Sequence, residues 1–123
     1  MIVSKNADVA SLVVTSIEGK PVTGSLVLKP LIRGDQMTLL ELHYQPGTNA
    51  PIHVHAHESL VYVVKGLVKT TVGNEVYVLG AGDVGCHPQG VPHTVEAIEE
   101  SIVIEIKSPA PDLAQFLGTH KES

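Results

Sequence analysis

The sequence contains little cysteine, few aromatic residues and few basic residues. Cys86 is the only cysteine among 123 residues, and the chain has no Trp and a single Phe. One thiol cannot form an internal disulfide or a cysteine-rich zinc site, which excludes the small disulfide-stabilised secreted domains. Eight Lys and Arg against thirteen Asp and Glu give a formal charge of −5. We therefore expect no nucleic-acid partner, because such binding needs clustered cations.

Long hydrophobic runs are also missing. No apolar stretch approaches the roughly 18 residues that a membrane-spanning helix needs. The first ten residues lack a basic stretch followed by a hydrophobic block, so we expect no signal peptide. These absences predict a cytoplasmic protein without a membrane partner. A chain of 13.0 kDa has room for a single domain, here residues 1–123.

The residues that are abundant predict short strands. Val, Ile and Leu predominate, with eleven Gly and eight Pro to form turns. The segment 36–44 alternates along two largely apolar faces, and residues 67–72 and 75–79 flank a Gly-Asn turn. About ten such strand candidates predict an all-β sandwich or barrel. Residues 112–118 predict a short helical turn that Asp112 caps and Gly118 ends.

The histidines are unevenly distributed. Three of the seven lie between positions 53 and 57. On an extended strand, residues two apart point to the same face, so His53 and His55 can direct two imidazoles at one point, and His57 shares their parity. His93 could add a third imidazole. The spacing alone leaves two interpretations open, a metal site and a solvated polar face.

Two glycine-bounded motifs enclose these histidines. In residues 47–66, Gly47, His53, His55 and Gly66 match the first cupin motif, Gly, five residues, His-x-His and a closing Gly. In residues 82–97 the second motif is matched by four further residues, Gly82, Pro88, Gly90 and His93, while Ala97 stands where that motif has Asn. The chain therefore resembles the cupin superfamily, in its small single-domain cupin 2 type.

The resemblance implies a fold and a metal site. The fold is a small double-stranded β-helix, the cupin jelly-roll barrel, here followed by the short C-terminal helical turn. By resemblance, His53, His55 and His93 hold one divalent transition metal inside the barrel. Three neutral imidazoles favour zinc, nickel, iron, copper or cobalt over magnesium or calcium, which prefer oxygen ligands.

The chain departs from the first motif at its carboxylate ligand. The two positions where that motif has Glu are Ser59 and Leu60. Three interpretations of the fourth metal position stay open. Water fills an open position at Ser59, or a bulge brings Glu58 to the metal, or His57 reaches it.

The expected function is that of a metal-dependent enzyme of dioxygenase or isomerase type, acting on a small oxygenated molecule at an open three-histidine site. Glu58 and His57 are the catalytic candidates, and Tyr62 is expected to line the pocket. The alternative is a non-catalytic cupin that binds a small ligand, or a structural cupin with a vestigial metal site. A homodimer is expected, with residues 9–15 pairing with or packing on the partner.

Further residues carry weaker expectations. Glu41, His43 and His87 are candidates to reach the barrel interior, and Cys86 is expected to be a buried, inert thiol. Leu113, Phe116 and Leu117 are expected to cover the outside of the barrel or a neighbouring subunit. The ordinary imidazole pKa of about 6.5 predicts that metal affinity falls steeply between about pH 7 and 5.

Overall fold

A computed structural model describes residues 2–122 of the chain. In this range, twelve strands account for most of the chain, with a 3₁₀ turn at Asn6–Asp8 and one short helix, α1, at Leu113–Phe116. The strands are β1 (Leu12–Ile17), β2 (Lys20–Pro21), β3 (Leu26–Arg33), β4 (Thr38–Tyr44), β5 (Asn49–His53), β6 (Glu58–Lys65), β7 (Leu67–Val72), β8 (Glu75–Gly80), β9 (Val84–His87), β10 (His93–Ala97), β11 (Ser101–Ser108) and β12 (Leu117–Lys121). None of the helices in residues 2–122 has the length and apolar character needed to cross a bilayer.

The strands form two antiparallel sheets. The larger sheet has the order β12-β1-β3-β4-β11-β6-β9, with β2 paired to β1, and the smaller sheet has the order β5-β10-β7-β8. This arrangement confirms the predicted all-β jelly roll with a short C-terminal helical turn.

The inner faces of the two sheets enclose the core. In β4 every second residue is buried, from Thr38 to Tyr44, as the alternation in the sequence predicts. In β11 the same alternation buries Ser101, Val103, Glu105 and Lys107. The inner face of this strand is therefore uncharged at one end and charged at the other.

Gly66 closes the turn between β6 and β7. Its φ is +97°, a conformation that side chains other than glycine rarely adopt. A Cβ at this position would lie 2.3 Å from the carbonyl oxygen of Glu100. The closing glycine of the first motif is thus required for both conformation and space.

The C-terminal segment folds back into the barrel. The Asp112 side chain accepts a hydrogen bond of 3.0 Å from the backbone N–H of Ala114 and so caps α1, as predicted. The chain then forms β12, which the sequence did not indicate. Phe116 and Leu117 are buried in the core, with Leu113 packed against them, so the expectation that these residues cover the outside of the barrel was wrong.

The N-terminal strand has no free edge at its start. Leu12 and Val13 pair with β12 on one side and with β3 on the other. Pairing with a partner strand through Leu12 and Val13 was therefore a wrong expectation, because both edges of β1 are used there within the chain. Packing of residues 9–15 on a partner stays a prediction.

Candidate metal centre

Three imidazoles converge inside the barrel. His53 ends β5, His55 follows it, and His93 begins β10 directly opposite His53 in the sheet register. One ring nitrogen from each residue lies within 4.8 Å of the other two, and all three side chains are buried. The alternation of the strand places His53 and His55 on one face, and the pairing of β5 with β10 brings His93 to them.

Each of these imidazoles is held through its Nδ1 atom. His55 Nδ1 lies 3.1 Å from Glu18 Oε2, and His93 Nδ1 lies 3.2 Å from the carbonyl oxygen of Val91. His53 Nδ1 likewise bonds to the carbonyl oxygen of Pro51. Because all three partners accept, each Nδ1 carries the proton and each Nε2 keeps its lone pair for a metal.

Glu18 was missed by the sequence analysis. It lies in the turn between β1 and β2, far from the histidines in the chain, with a φ of +49°. Its carboxylate orients the His55 ring and raises the basicity of the opposite nitrogen. No local pattern in the sequence marks such a contact.

Burial keeps the imidazoles neutral. It is the largest influence on each ring and lowers the pKa of His53 and of His93 to about 4. The pKa of His55 is lowered further, by burial and then by the nearby positive charge of Lys107. A metal would therefore meet neutral imidazoles at any pH above about 5.

A buried ion pair lies beside the imidazoles. Lys107 Nζ is 2.9 Å from Glu105 Oε1, and both side chains are at most 10% exposed. Burial alone would raise the pKa of Glu105, but the charge and the hydrogen bond of Lys107 reverse this and lower it, so the carboxylate is ionised. The alternation of β11 could have indicated both residues, since they share the parity of Val103.

Ser59 points inward and contacts this ion pair. Its Oγ accepts a hydrogen bond of 2.8 Å from Lys107 Nζ. Glu58 lies on the outer, exposed face of β6. The register between β6 and β11 is regular at this end of the strand, with Glu58 opposite Ser108 and Ser59 opposite Lys107. The bulge that would have brought Glu58 to the metal is absent from this part of the described chain, so that interpretation, and Glu58 as a catalytic group, were wrong.

His57 lies next to the three imidazoles without joining them. Its ring stacks on that of His55 at 4.3 Å and contacts Phe116 at 5.1 Å. In residues 2–122, Nε2 of His57 is the one buried side-chain nitrogen or oxygen atom that lacks a hydrogen-bond partner. Burial, and then Lys107, lowers the pKa of His57 to about 4, so this nitrogen belongs to a neutral ring.

His87 reaches the barrel interior, as the sequence suggested. Its ring stacks on His93 at 4.2 Å, and its Nε2 lies 2.8 Å from Thr70 Oγ1. Burial lowers its pKa as well. His87 therefore lies behind the three convergent imidazoles, in contact with one of them.

Four other expectations about the interior were wrong. Tyr62 is 47% exposed on the outer face of β6, and Cys86 is exposed on the outer face of β9. His43 and Glu41 contact each other at 2.7 Å on the outer face of β4. In each case the alternation of the strand directs the side chain away from the barrel.

The donor set fits a divalent transition metal. Three neutral nitrogen donors suit a borderline ion, and their anchored Nδ1 atoms fix the orientation of the rings. The cavity at these imidazoles has a volume of about 40 Å³ and is also lined by Lys107 and Phe116. It has room for an ion and for one or two water-sized groups bound to it.

Comparison with known proteins supports the jelly-roll fold. A family profile described as "Cupin domain" matches residues 40–106. An RmlC-like cupin from Shewanella frigidimarina NCIMB 400 is similar in structure, with a TM-score of 0.77, 24% identity, and coverage of 91% of this chain and 94% of that chain. A predicted oxalate decarboxylase from Thermotoga maritima gives a TM-score of 0.76 at 15% identity, over 88% of this chain and 99% of that chain.

One curated relative is similar in sequence. Oxalate decarboxylase OxdC from Bacillus subtilis (strain 168) is 24% identical over 80 residues, which is 61% of this chain. The chain spans about a fifth of that relative's length, since the match covers 21% of it. The profile match covers more than half of this chain and includes all three convergent histidines. The chain belongs to the cupin family.

Proposed function

We propose that this protein is a metal-dependent enzyme, of dioxygenase or isomerase type, that acts on a small oxygenated molecule. The observation that carries the proposal is the convergence of His53, His55 and His93 with their Nδ1 atoms already bonded to the protein. No carboxylate in the described chain joins this cluster. Such a site leaves coordination positions open for oxygen atoms of a substrate.

The residues around the cluster have separable roles. A bound divalent ion would polarise a ketone, enol or carboxylate oxygen of the substrate. Lys107 uses two of its three N–H groups on Ser59 and Glu105, and the third is available to a negatively charged oxygen. His57 Nε2 is buried without a partner and can form a hydrogen bond with the substrate.

The relatives support an oxygenated substrate but not a particular reaction. Two of them are named as oxalate decarboxylases, one of them only as a predicted one. Their identity to this chain is 24% and 15%, and the curated relative is far longer. We therefore infer from them only that the substrate is a small oxygenated molecule, and oxalate is one member of the substrate panel.

One observation favours a second candidate, a cupin whose metal site is vestigial or only binds a ligand. The buried Lys107 cation lies against Ser59, where the motif ordinarily has a carboxylate. A positive charge there opposes the binding of a metal cation. Metal affinity and turnover therefore have to be measured separately.

The test uses the full chain, purified without a histidine tag and loaded with zinc, nickel, iron(II), cobalt or copper in turn. Dioxygen consumption reports dioxygenase activity, and exchange of substrate C–H for deuterium in D₂O reports isomerase activity. Small hydroxy acids, keto acids, enols and oxalate form the substrate panel. His93→Ala should abolish both metal binding and turnover. His43→Ala, a histidine on the outer face paired with Glu41, should leave both unchanged.

The outcomes separate the candidates. Turnover that disappears when the metal is removed supports the enzyme. Stoichiometric metal without turnover of any panel member supports the non-catalytic ligand-binding protein. Failure to retain metal at micromolar concentration supports the vestigial site. The expected homodimer stays a prediction, and a monomer at micromolar concentration in light scattering would contradict it.

A further inference from the structure

A second cavity lies beside the small one at the imidazoles. We call it the side pocket. It has a volume of about 360 Å³ and opens between β8 and β9, the edge strands of the two sheets. Its inner walls are mostly apolar and include Val61, Val68, Val72, Leu79, Val95 and Val103. Its rim carries Tyr77 and Val84, which are 49% and 68% exposed.

The side pocket shares a wall with the small cavity at the three imidazoles. Tyr44, His87, Val95 and Glu105 line both cavities. The His87 ring stacks on the ligand candidate His93 at 4.2 Å, with an angle of 15° between the ring planes. A molecule in the side pocket is therefore separated from the three-histidine cluster by little more than the His87 and Glu105 side chains.

The hydrogen bonds of Thr70 fix the tautomer of His87. The single hydroxyl hydrogen of Thr70 is donated to the carbonyl oxygen of Thr94, at 3.0 Å. In the 2.8 Å hydrogen bond between His87 Nε2 and Thr70 Oγ1, His87 must then be the donor, so its proton lies on Nε2. In the neutral ring, Nδ1 is left as an acceptor on a residue that lines both cavities.

Size and chemistry together limit what the side pocket can bind. At about 30 Å³ for each water-sized group, 360 Å³ accommodates roughly a dozen non-hydrogen atoms. A compact dianion such as oxalate would leave the apolar walls uncovered and would face the ionised Glu105 carboxylate. An apolar skeleton covers the walls, and a hydroxyl group on it can donate to the one free imidazole nitrogen.

We propose that the side pocket binds the apolar ring skeleton of a phenol or enol whose hydroxyl group donates to Nδ1 of His87. This inference rests on the proposed function and names the class of its substrate. The acceptor selects a hydroxylated molecule over its hydrocarbon analogue. The apolar walls select it over small charged acids.

The test measures binding rather than turnover, so that it does not depend on catalysis. The probe is 1-naphthol, followed by its fluorescence on titration with the full chain, with and without zinc. Naphthalene is the analogue without the hydroxyl group, and oxalate is the competitor. Wild-type protein should bind 1-naphthol about fivefold more tightly than naphthalene, as expected of one added hydrogen bond, and oxalate should not displace it.

Gly85→Leu is the variant that blocks the side pocket. Gly85 faces inward on β9, and a Cβ there would lie 3.3 Å from Leu79 Cδ1, so a leucine side chain must occupy the cavity. We expect 1-naphthol affinity to fall at least about tenfold while zinc affinity stays at the wild-type value. Gly34→Leu, at an exposed glycine with ordinary backbone geometry in the loop before β4, is the matched control.

His87→Phe tests the hydroxyl contact. The phenylalanine ring preserves the stacking on His93 but removes the acceptor, so the preference for 1-naphthol over naphthalene should disappear. Equal binding of 1-naphthol by wild type and Gly85→Leu, or displacement by oxalate, would overturn the inference. Binding without turnover of any substrate would instead remove the proposed enzyme and leave the side pocket as a ligand site.

Discussion

Lys107 donates a hydrogen bond of 2.8 Å to Ser59, at the position where the first cupin motif ordinarily has a carboxylate ligand. The same ammonium group is 2.9 Å from Glu105, which is its neighbour on the inner face of β11. A buried ion pair thus stands next to the three imidazoles. The three convergent imidazoles are neutral, and the Lys107 cation lies beside them.

The effects of substituting Lys107 and Glu105 on the free energy of unfolding should be strongly coupled. Lys107→Met leaves the buried Glu105 carboxylate unpaired and should lower the free energy of unfolding by about 3–5 kcal/mol. Adding Glu105→Gln should restore about 1–3 kcal/mol of this loss, because the double variant contains no isolated charge. Urea denaturation followed by circular dichroism measures both values.

The exposed pair of Lys65 and Glu100 is the control for this cycle. Both side chains are more than half exposed and lie 3.2 Å apart. Lys65→Met should cost less than about 1 kcal/mol. An equally small cost for Lys107→Met would mean that the ion pair is solvated rather than buried.

The effect of restoring the missing carboxylate should depend on Lys107. Ser59→Glu puts a carboxylate next to an ammonium group that already contacts this position, so the two should pair and metal affinity should change less than about threefold. In Ser59→Glu/Lys107→Met the carboxylate is free to bind the metal, and affinity should rise at least about tenfold. Isothermal titration with zinc measures these affinities.

Glu58→Ala is the matched control for this comparison. Glu58 neighbours Ser59 in the chain but is exposed on the opposite face of β6. Its removal should leave zinc affinity at the wild-type value. A marked loss of affinity would mean that Glu58 is the ligand after all.

The metal-free protein should lose stability as the pH falls from about 6.5 to 4. Burial lowers the pKa of His53, His57 and His93 to about 4 in the folded chain, against about 6.5 when unfolded. Between these values the unfolded chain binds more protons, so acid favours unfolding by at most about 1.4 kcal/mol per pH unit for each ring. Urea midpoints measured at intervals from pH 7 to 4.5 should therefore decrease steadily, and a constant midpoint would contradict the burial of neutral imidazoles.

Metal affinity should depend less on pH than the ordinary imidazole pKa predicts. If the three imidazoles each had a pKa near 6.5, the metal affinity of the site would fall about ten-thousandfold between pH 7 and 5. Since burial lowers the pKa of His53 and His93 to about 4, and that of His55 further, the loss over this range should be less than about twofold. Zinc titrations at pH 7, 6 and 5, on protein shown by circular dichroism to be folded, distinguish the two results.

Local alternation is what made the fold and part of the site predictable. His53, His55 and His57 alternate with Val54 and Ala56 in the sequence. The structure buries the three histidines and exposes the two residues between them, as this alternation predicts. The glycines and histidines of the two motifs carried the family resemblance, and the profile match to residues 40–106 confirms it.

The remaining parts of the site depend on contacts between distant segments. β12 pairs with β1, although more than 100 residues separate Leu12 from its partner Lys121 in the sequence. This pairing brings Phe116 against His55 and His57. Glu18 reaches His55 from an early turn. Charged residues near the end of a strand ordinarily face solvent, so Glu105 and Lys107 were not recognised as interior residues.

The most direct test of the account is the metal content of protein purified without a histidine tag and dialysed against micromolar divalent ions. The account predicts about one transition metal ion per chain in wild type and in His43→Ala, and almost none in His53→Ala or His93→Ala. Elemental analysis by mass spectrometry gives these values. A wild type that retains no metal, or a His93→Ala variant that retains it fully, would contradict the three-histidine centre.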